Sequence, residues 1–356
     1  MGKIKVAIAG VGNCASALVQ GVTYYKKTKD MDALIGLTFP EIAGLTPADI
    51  EFVAAFDVND KKVGKDLSEA IFAEPNNTVK IVDVPKLDVK VRKGPVLDGI
   101  GKYLKQVVKI SNDGTTDVAQ ELKDSGADVL INYLPVGSTQ GTQFYAAEAL
   151  KANTAFINAM PVFIASELGW QSKFEEKGLP IAGDDVMSQL GATVLHKTLV
   201  KLFADRGLKV DETYQLNLGG DTDFLNMLEE ARLKDKRISK TSAVVAMIDY
   251  DLPVRIGPSD YVPFLNNDKV CYIWIKGRGF GNIPITLDVK LHVVDAYNSG
   301  GVMVDALRAV RLALDRGIAG PLISVSAFCF KHPPIQMPYN EAKHAFIEFI
   351  NGKRER

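Results

Sequence analysis

The chain has 356 residues, 47% of them hydrophobic and 24% charged, with 42 Lys and Arg against 43 Asp and Glu. A net charge of -1 excludes a general nucleic-acid binder, which needs surplus cations to displace counterions. No run of ~18 apolar residues occurs, so no membrane span is expected. The three scattered cysteines, Cys14, Cys271 and Cys329, point to a reducing, cytoplasmic setting rather than a disulfide scaffold.

At ~100–200 residues per domain, the length suggests two domains. The first residues lack the apolar core and small-residue cleavage site of a signal peptide. Residues 5–10 (KVAIAG) form a short apolar run ending in glycine, the pattern of a buried parallel strand. A helix is predicted over 15–25, with Leu18, Val19 and Val22 on one face. The stretch 30–49, with Gly36, Pro40, Gly44 and Pro47, reads as an irregular insertion. Further strands are predicted at 52–57, 128–135, 155–161 and 180–185, and helices at 116–123, 140–151 and 168–177. Strands alternating with helices mean a parallel α/β sheet. The pattern changes after about residue 207. Runs at 270–276 and 286–294, separated only by a short loop, suit an antiparallel pair. Helices are predicted at 301–314 and 341–350. The expected architecture is a Rossmann-type parallel-sheet domain over 1–200, completed by 301–356. A mixed α+β catalytic and oligomerisation domain occupies 201–300.

Gly10-Val11-Gly12-Asn13-Cys14-Ala15 matches the G-x-G-x-x-G/A fingerprint, after a strand and opening a helix. Gly10 permits the tight turn, Gly12 lets a pyrophosphate approach, and Ala15 allows close helix–strand packing. Asp57 ends the second predicted strand, where a carboxylate accepts ribose hydroxyls and repels the extra phosphate of NADP. It lies further from Gly10 than the simple motif places it, an excess that the 30–49 insertion accounts for. The other reading is a plain strand–turn–helix. The buried strand and acidic second strand end favour NAD. Asn132 and Pro135 follow another predicted strand, where ligands bind in such sheets.

Lys236 and Lys240 lie four apart and share one face of a helix, where like charges are mutually unfavourable. A phosphorylated ligand would offset that cost, but Arg232, Lys234 and Arg237 also let the stretch read as a solvated basic face. Ser188 follows Gly183-Asp184-Asp185 and stands where a helix is expected to begin; its hydroxyl suits either a phosphate or a plain N-cap. His196, His292, His332 and His344 show no metal-ligand spacing, so no metal site is read.

The segments VGNCASALVQGV, INYLPVGS, NAMPVFIAS, GDDVMSQLGAT, GGDTDFLNMLEEARLKDKRISKT, NSGGVMVDALRA and FKHPP run through nearly the whole chain. In combination they resemble the myo-inositol-1-phosphate synthase family, in its short prokaryotic form. The resemblance implies that Lys236, Lys240, Lys269 and Lys331 are active-site lysines. It implies that Asp185 and Ser188 belong to a GDD-x-x-S segment, Asp185 beside the cofactor as well. Asn217 and Asp223 match an Asn- and Gly-rich turn, and Asp295 an acidic residue near the nicotinamide. Gly219, Gly220 and Asp221 depart from the asparagine-rich run of the eukaryotic form. The implied activity converts glucose 6-phosphate into an inositol phosphate for phospholipid biosynthesis. It proceeds by NAD-dependent oxidation, intramolecular aldol closure and reduction, in a homotetramer, with a divalent or monovalent cation left open. Mutual repulsion is expected to lower the pKa of neighbouring lysines. Two other functions stay open on sequence: an NAD-dependent dehydrogenase with net hydride transfer, and a non-catalytic NAD-binding regulator.

Overall fold

A computed structural model describes residues 2–28 and 34–356; residues 30–33 of the expected insertion lie outside the described residues. The first strand, β1 (Ile4–Ala9), is buried at every position but Lys5. Helix α1 (Asn13–Lys27) follows, then β2 (Ile50–Asp57), α2 (Leu67–Ala70), β3 (Val91–Lys93), α3 (Val118–Ser125) and β4 (Val129–Asn132). Next come α4 (Thr139–Ala152), β5 (Ala155–Asn158), α5 (Leu168–Glu176) and β6 (Pro180–Gly183). The middle of the chain contributes α6 (Ala192–Asp205), β7 (Lys209–Gly219), α7 (Thr222–Met227), α8 (Lys234–Val245), β8 (Val254–Tyr261), β9 (Asp268–Arg278) and β10 (Pro284–Val294). The last elements are α9 (Asp295–Asp315), β11 (Gly320–Pro321), α10 (Ile323–Cys329) and α11 (Tyr339–Ile350).

Seven parallel strands form one sheet in the order β11-β6-β5-β4-β1-β2-β3. Alternation along β1 sends Ile4, Val6 and Ile8 to a core shared with α1 and α9, and Ala7 and Ala9 to another with Phe56, Tyr145 and Phe156. Both faces are covered, as an all-parallel sheet requires. The second sheet, β10-β9-β7-β8, pairs β9 antiparallel with both neighbours and β8 parallel with β7. Its buried face packs Ile256, Ile273 and Ile275 against Val200 and Phe203 of α6 and Val244 of α8. Helix α6, which begins before residue 201, thus packs on this sheet.

Two differences from the sequence reading shape the site. The helix expected from residue 188 begins at Ala192 with Gly191 as its N-cap, so Ser188 is no cap. The helix expected from 301 starts at Asp295. A Cβ on Gly301 would run into the Gly36 carbonyl oxygen. Glycine there serves helix packing, not termination.

Candidate active site

Strand order in the first sheet reverses between β1 and β4, so the carboxyl ends of these strands open onto a crevice where open α/β sheets bind ligands. One chamber of about 850 Å³ is lined by Gly10, Gly12, Asp57, Lys62, Asn76 and Tyr145. A second, of about 1090 Å³, holds the lysines. Gly12, Tyr133, Pro135 and Thr222 line both, so the chambers adjoin.

The residues at the junction fit a dinucleotide. Gly10 has φ +93°, and a Cβ there would lie 2.5 Å from the Tyr133 carbonyl oxygen. Gly12 is the N-cap of α1 and no side chain caps that end, so its first-turn amides and dipole are available to an anion. Asn13 and Cys14 line the lysine chamber, and Ala15 is buried where the helix meets the sheet. The Cys14 thiol is pushed up to about 12 by burial and then by Asp295, which makes it a small neutral lining residue. Asp57 accepts the Val11 N–H at 2.9 Å through one oxygen, and the Val58 and Asn59 N–H groups through the other. Buried Lys62 stands 4.0 Å from it and donates to the Val11 carbonyl and to Asn76. Asn132 does not line the cleft. It is fully buried and donates to Thr142 and Asn158 while accepting the Leu134 N–H, so it shapes the turn that presents Pro135.

The second chamber collects charge from six parts of the chain. On α8 the buried positions are Lys236, Ser239, Lys240, Ala243 and Val244, a helical stripe that points lysines inward while Ile238 is 41% exposed. Lys236 and Lys240 are 8% and 4% exposed, which rules out the solvated basic face. Lys236 reaches Asp223 at 2.7 Å, and Lys269 on β9 reaches Asp295 at 3.2 Å. Lys331 reaches Asp185 at 2.8 Å, and the other oxygen of Asp185 accepts the Ser239 hydroxyl at 2.7 Å. Backbone pairing brings that couple together, because the Lys331 N–H donates to the Asp185 carbonyl and the His332 N–H to that of Asp184. Asp185 has φ +62°, a left-handed conformation that non-glycine residues hold mainly where surroundings over-determine it.

These environments split the lysines. Burial opposes charge on Lys236 and Lys269, but Asp223 and Asp295 outweigh it and hold both ammonium groups above their ordinary range. Lys240 alone falls well below, through burial and then repulsion from Lys269, Lys236 and Lys331. The expected general lowering by mutual repulsion is therefore corrected, since carboxylates are interleaved with the cations. Burial, followed by Asp223 and Asp295, pushes the Asp221 carboxyl up to about 7. Burial also opposes charge on Asp185 and Asp295, yet Lys331 and Lys269 respectively pull them below the usual carboxylate range.

Of the expected site residues, Asp185, Ser188, Asp223, Asp295 and the four lysines line this chamber. Asn217 does not. It sits on the buried face of β7 with Thr213 and Gln215, donating to the Gly257 carbonyl at 2.8 Å and accepting from Gln215. Period-two alternation turns it toward the sheet's core, two residues before the chain leaves the strand at Gly219. The sequence reading missed Lys62, Asn76 and Ser239. Ser239 was discoverable, three residues from Lys236 on the same helical face. Lys62 and Asn76 lie in irregular chain that gives no periodic signal.

Comparison with known proteins bears on what such a cleft does. The sequence is 51% identical over 358 residues to the inositol-3-phosphate synthase of Mycolicibacterium smegmatis, covering 99% of each chain. It is 51% identical over 353 residues to that of Mycobacterium tuberculosis, covering 98% of this chain and 96% of the other. The chain belongs to the myo-inositol-1-phosphate synthase family. The family's sequence model, Myo-inositol-1-phosphate synthase, matches residues 191–296, the stretch that includes Asp223, Lys236, Lys240, Lys269 and Asp295. A crystal structure of a myo-inositol-1-phosphate synthase-related protein from Thermotoga maritima superimposes with a TM-score of 0.81 at 26% identity, covering 98% of both chains. The lysine chamber lies where the first sheet's strand ends meet Lys269 of the second sheet.

Proposed function

We propose that the cleft converts D-glucose 6-phosphate into myo-inositol phosphate by oxidation at C5, intramolecular aldol closure and reduction, with NAD as resident cofactor. The observation that carries this reading is the ring of four lysines, three in ion pairs and one with none among the described residues, beside an uncapped glycine loop. The close relatives are synthases, which disfavours the dehydrogenase and regulator readings. When bound, the dinucleotide supplies reversible hydride acceptance.

The chain's residues do the rest. Lys240, buried and with no carboxylate in ion-pair reach among the described residues, suits the substrate phosphate, and Ser188 lines the same chamber. Oxidation at C5 acidifies the C6 protons, and closure onto the C1 aldehyde builds negative charge on oxygen. Lys269, kept charged by Asp295, is placed to stabilise that charge in a water-poor site. Lys331, held by Asp185, is assigned proton transfer, with Asp185 and Ser239 fixing its position. Lys236, paired with Asp223, completes the electrostatic wall.

The same reading includes a homotetramer, cytoplasmic location and supply of inositol for phospholipids. The exposed face of the second sheet supports assembly: Tyr214 stacks on Trp274 at 5.4 Å, with Leu216 and Tyr272 also exposed. No cation site is assigned, because among the described residues no group of three or more His, Cys, Asp or Glu side chains is arranged to hold a metal. Incubation with glucose 6-phosphate and NAD⁺, followed by phosphorus NMR, should yield an inositol phosphate signal; unchanged substrate would contradict the reading.

A further inference from the structure

A redox-neutral cyclisation needs its reduced cofactor to stay bound between two hydride transfers. The segment 75–81 has no helix or strand, yet side chains fasten it along the glycine loop. Asn76 donates to the Val11 and Ile71 carbonyls and accepts from Lys62. Asn77 and Asn13 form a reciprocal pair: the Asn13 amide donates to the Asn77 side-chain oxygen at 2.9 Å, and the Asn77 N–H donates to the Asn13 side-chain oxygen at 2.9 Å. Thr78 donates to the same Asn13 oxygen at 2.8 Å. The Asn77 amide also reaches the Gly220 carbonyl at 3.5 Å, next to Asp221 of the lysine chamber. Further on, the Tyr297 hydroxyl of α9 donates to the Val79 carbonyl at 2.6 Å, and Gln20 accepts the Ile81 N–H.

This segment therefore runs from the first chamber, where Pro75 and Asn76 are wall residues, to the edge of the second. It is pinned to the start of α1, which lines both chambers, and to the turn at Gly220, which leads into Asp221 and Thr222 of the chamber walls. We infer that residues 75–81 are a retention strap for the dinucleotide, and that Asn77 is the positioning residue that ties the cofactor loop to the substrate turn. The inference rests on the NAD-dependent cyclisation proposed above. None of the anchors needs to touch the reacting carbon. Their contribution is to make cofactor escape require the breaking of several hydrogen bonds at once, which slows dissociation more than it alters chemistry.

Two substitutions test it on independent anchors. Asn77→Ala removes the side-chain bonds to Asn13 and Gly220, and Tyr297→Phe removes the bond to Val79. NADH dissociation, followed by fluorescence in a displacement experiment without substrate, should accelerate on the order of tenfold in Asn77→Ala and by less in Tyr297→Phe. During turnover of glucose 6-phosphate, Asn77→Ala should release free NADH that the wild type retains, while its thermal midpoint stays near that of the wild type. Unchanged dissociation rates in both variants would overturn the strap, whatever the wild-type enzyme makes. Faster dissociation in a protein whose wild type makes no inositol phosphate would uphold the strap and remove the cyclisation reading instead.

Discussion

Replacing Lys240 with Met should stabilise the free protein while weakening its hold on phosphate. Lys240 is 4% exposed, has no carboxylate within ion-pair distance among the described residues, and faces the ammonium groups of Lys269, Lys236 and Lys331. Met has similar reach and opens no large cavity. Exchanging poorly compensated buried charge for apolar packing is worth about 1–4 kcal/mol. The sign with pH follows from the lowered pKa. Below it, the folded wild type bears the full cost of a buried cation. As pH rises through it toward the unfolded value of ~10.4, the folded state sheds its proton first and the cost is relieved. The advantage of Lys240→Met should thus be largest below the lowered pKa and shrink as pH rises toward ~10.4. Inorganic phosphate should reverse the order, because the variant loses a charge-assisted bond worth about 1.5–3 kcal/mol. Thermal denaturation from neutral to alkaline pH, with and without phosphate, measures all three effects. A variant that is less stable at neutral pH, with an undiminished phosphate response, would refute the reasoning.

Lys269→Ala and Lys331→Ala should each lose about a hundred- to a thousandfold in turnover, the usual cost of one oxyanion partner, while still quenching NADH fluorescence on binding. The wild type should prefer NAD⁺ to NADP⁺ in kcat/KM, and Asp57→Ala should narrow that preference because Lys62 stays in place beside the ribose pocket; equal use of both by the wild type would remove Asp57 from this role. Asp221→Asn keeps an acceptor for the start of α7 but removes a carboxyl pushed up to about 7. The folded wild type resists ionising there, so its stability relative to the variant should fall as pH rises from ~3.9 toward about 7, with the two converging in acid; urea titrations at several pH values read this directly.

The parallel sheet was legible because β1, β2, β4, β5 and β6 are short apolar runs interleaved with helices, the local signature of burial on both faces. The second sheet was half hidden. Along β7 the buried face carries Thr213, Gln215 and Asn217, while Tyr214 and Leu216 face outward, so the usual alternation is inverted. β8 contains Gly257 and Pro258, and no strand is predicted there; an edge strand tolerates proline because one side needs no ladder donor. The lysines could be named from motif resemblance, but spacing alone could not separate a charged cleft from a charged surface. That distinction needed Asp223, Asp295 and Asp185 from distant parts of the chain. Tertiary structure pairs three lysines and leaves Lys240 without an ion pair among the described residues, a difference that no local pattern encodes. The strap residues around Asn77 gave no signal either, since their order comes from side-chain anchors rather than from backbone periodicity.

In the proposed cyclisation the cofactor borrows a hydride and returns it. Glucose 6-phosphate deuterated at C5, supplied with a catalytic amount of NAD⁺, tests it directly by mass spectrometry and NMR of the product. The account predicts many turnovers per cofactor, no accumulating NADH, and deuterium retained on the corresponding ring carbon of the inositol phosphate. Stoichiometric NADH carrying the label, with none left in the organic product, would contradict it.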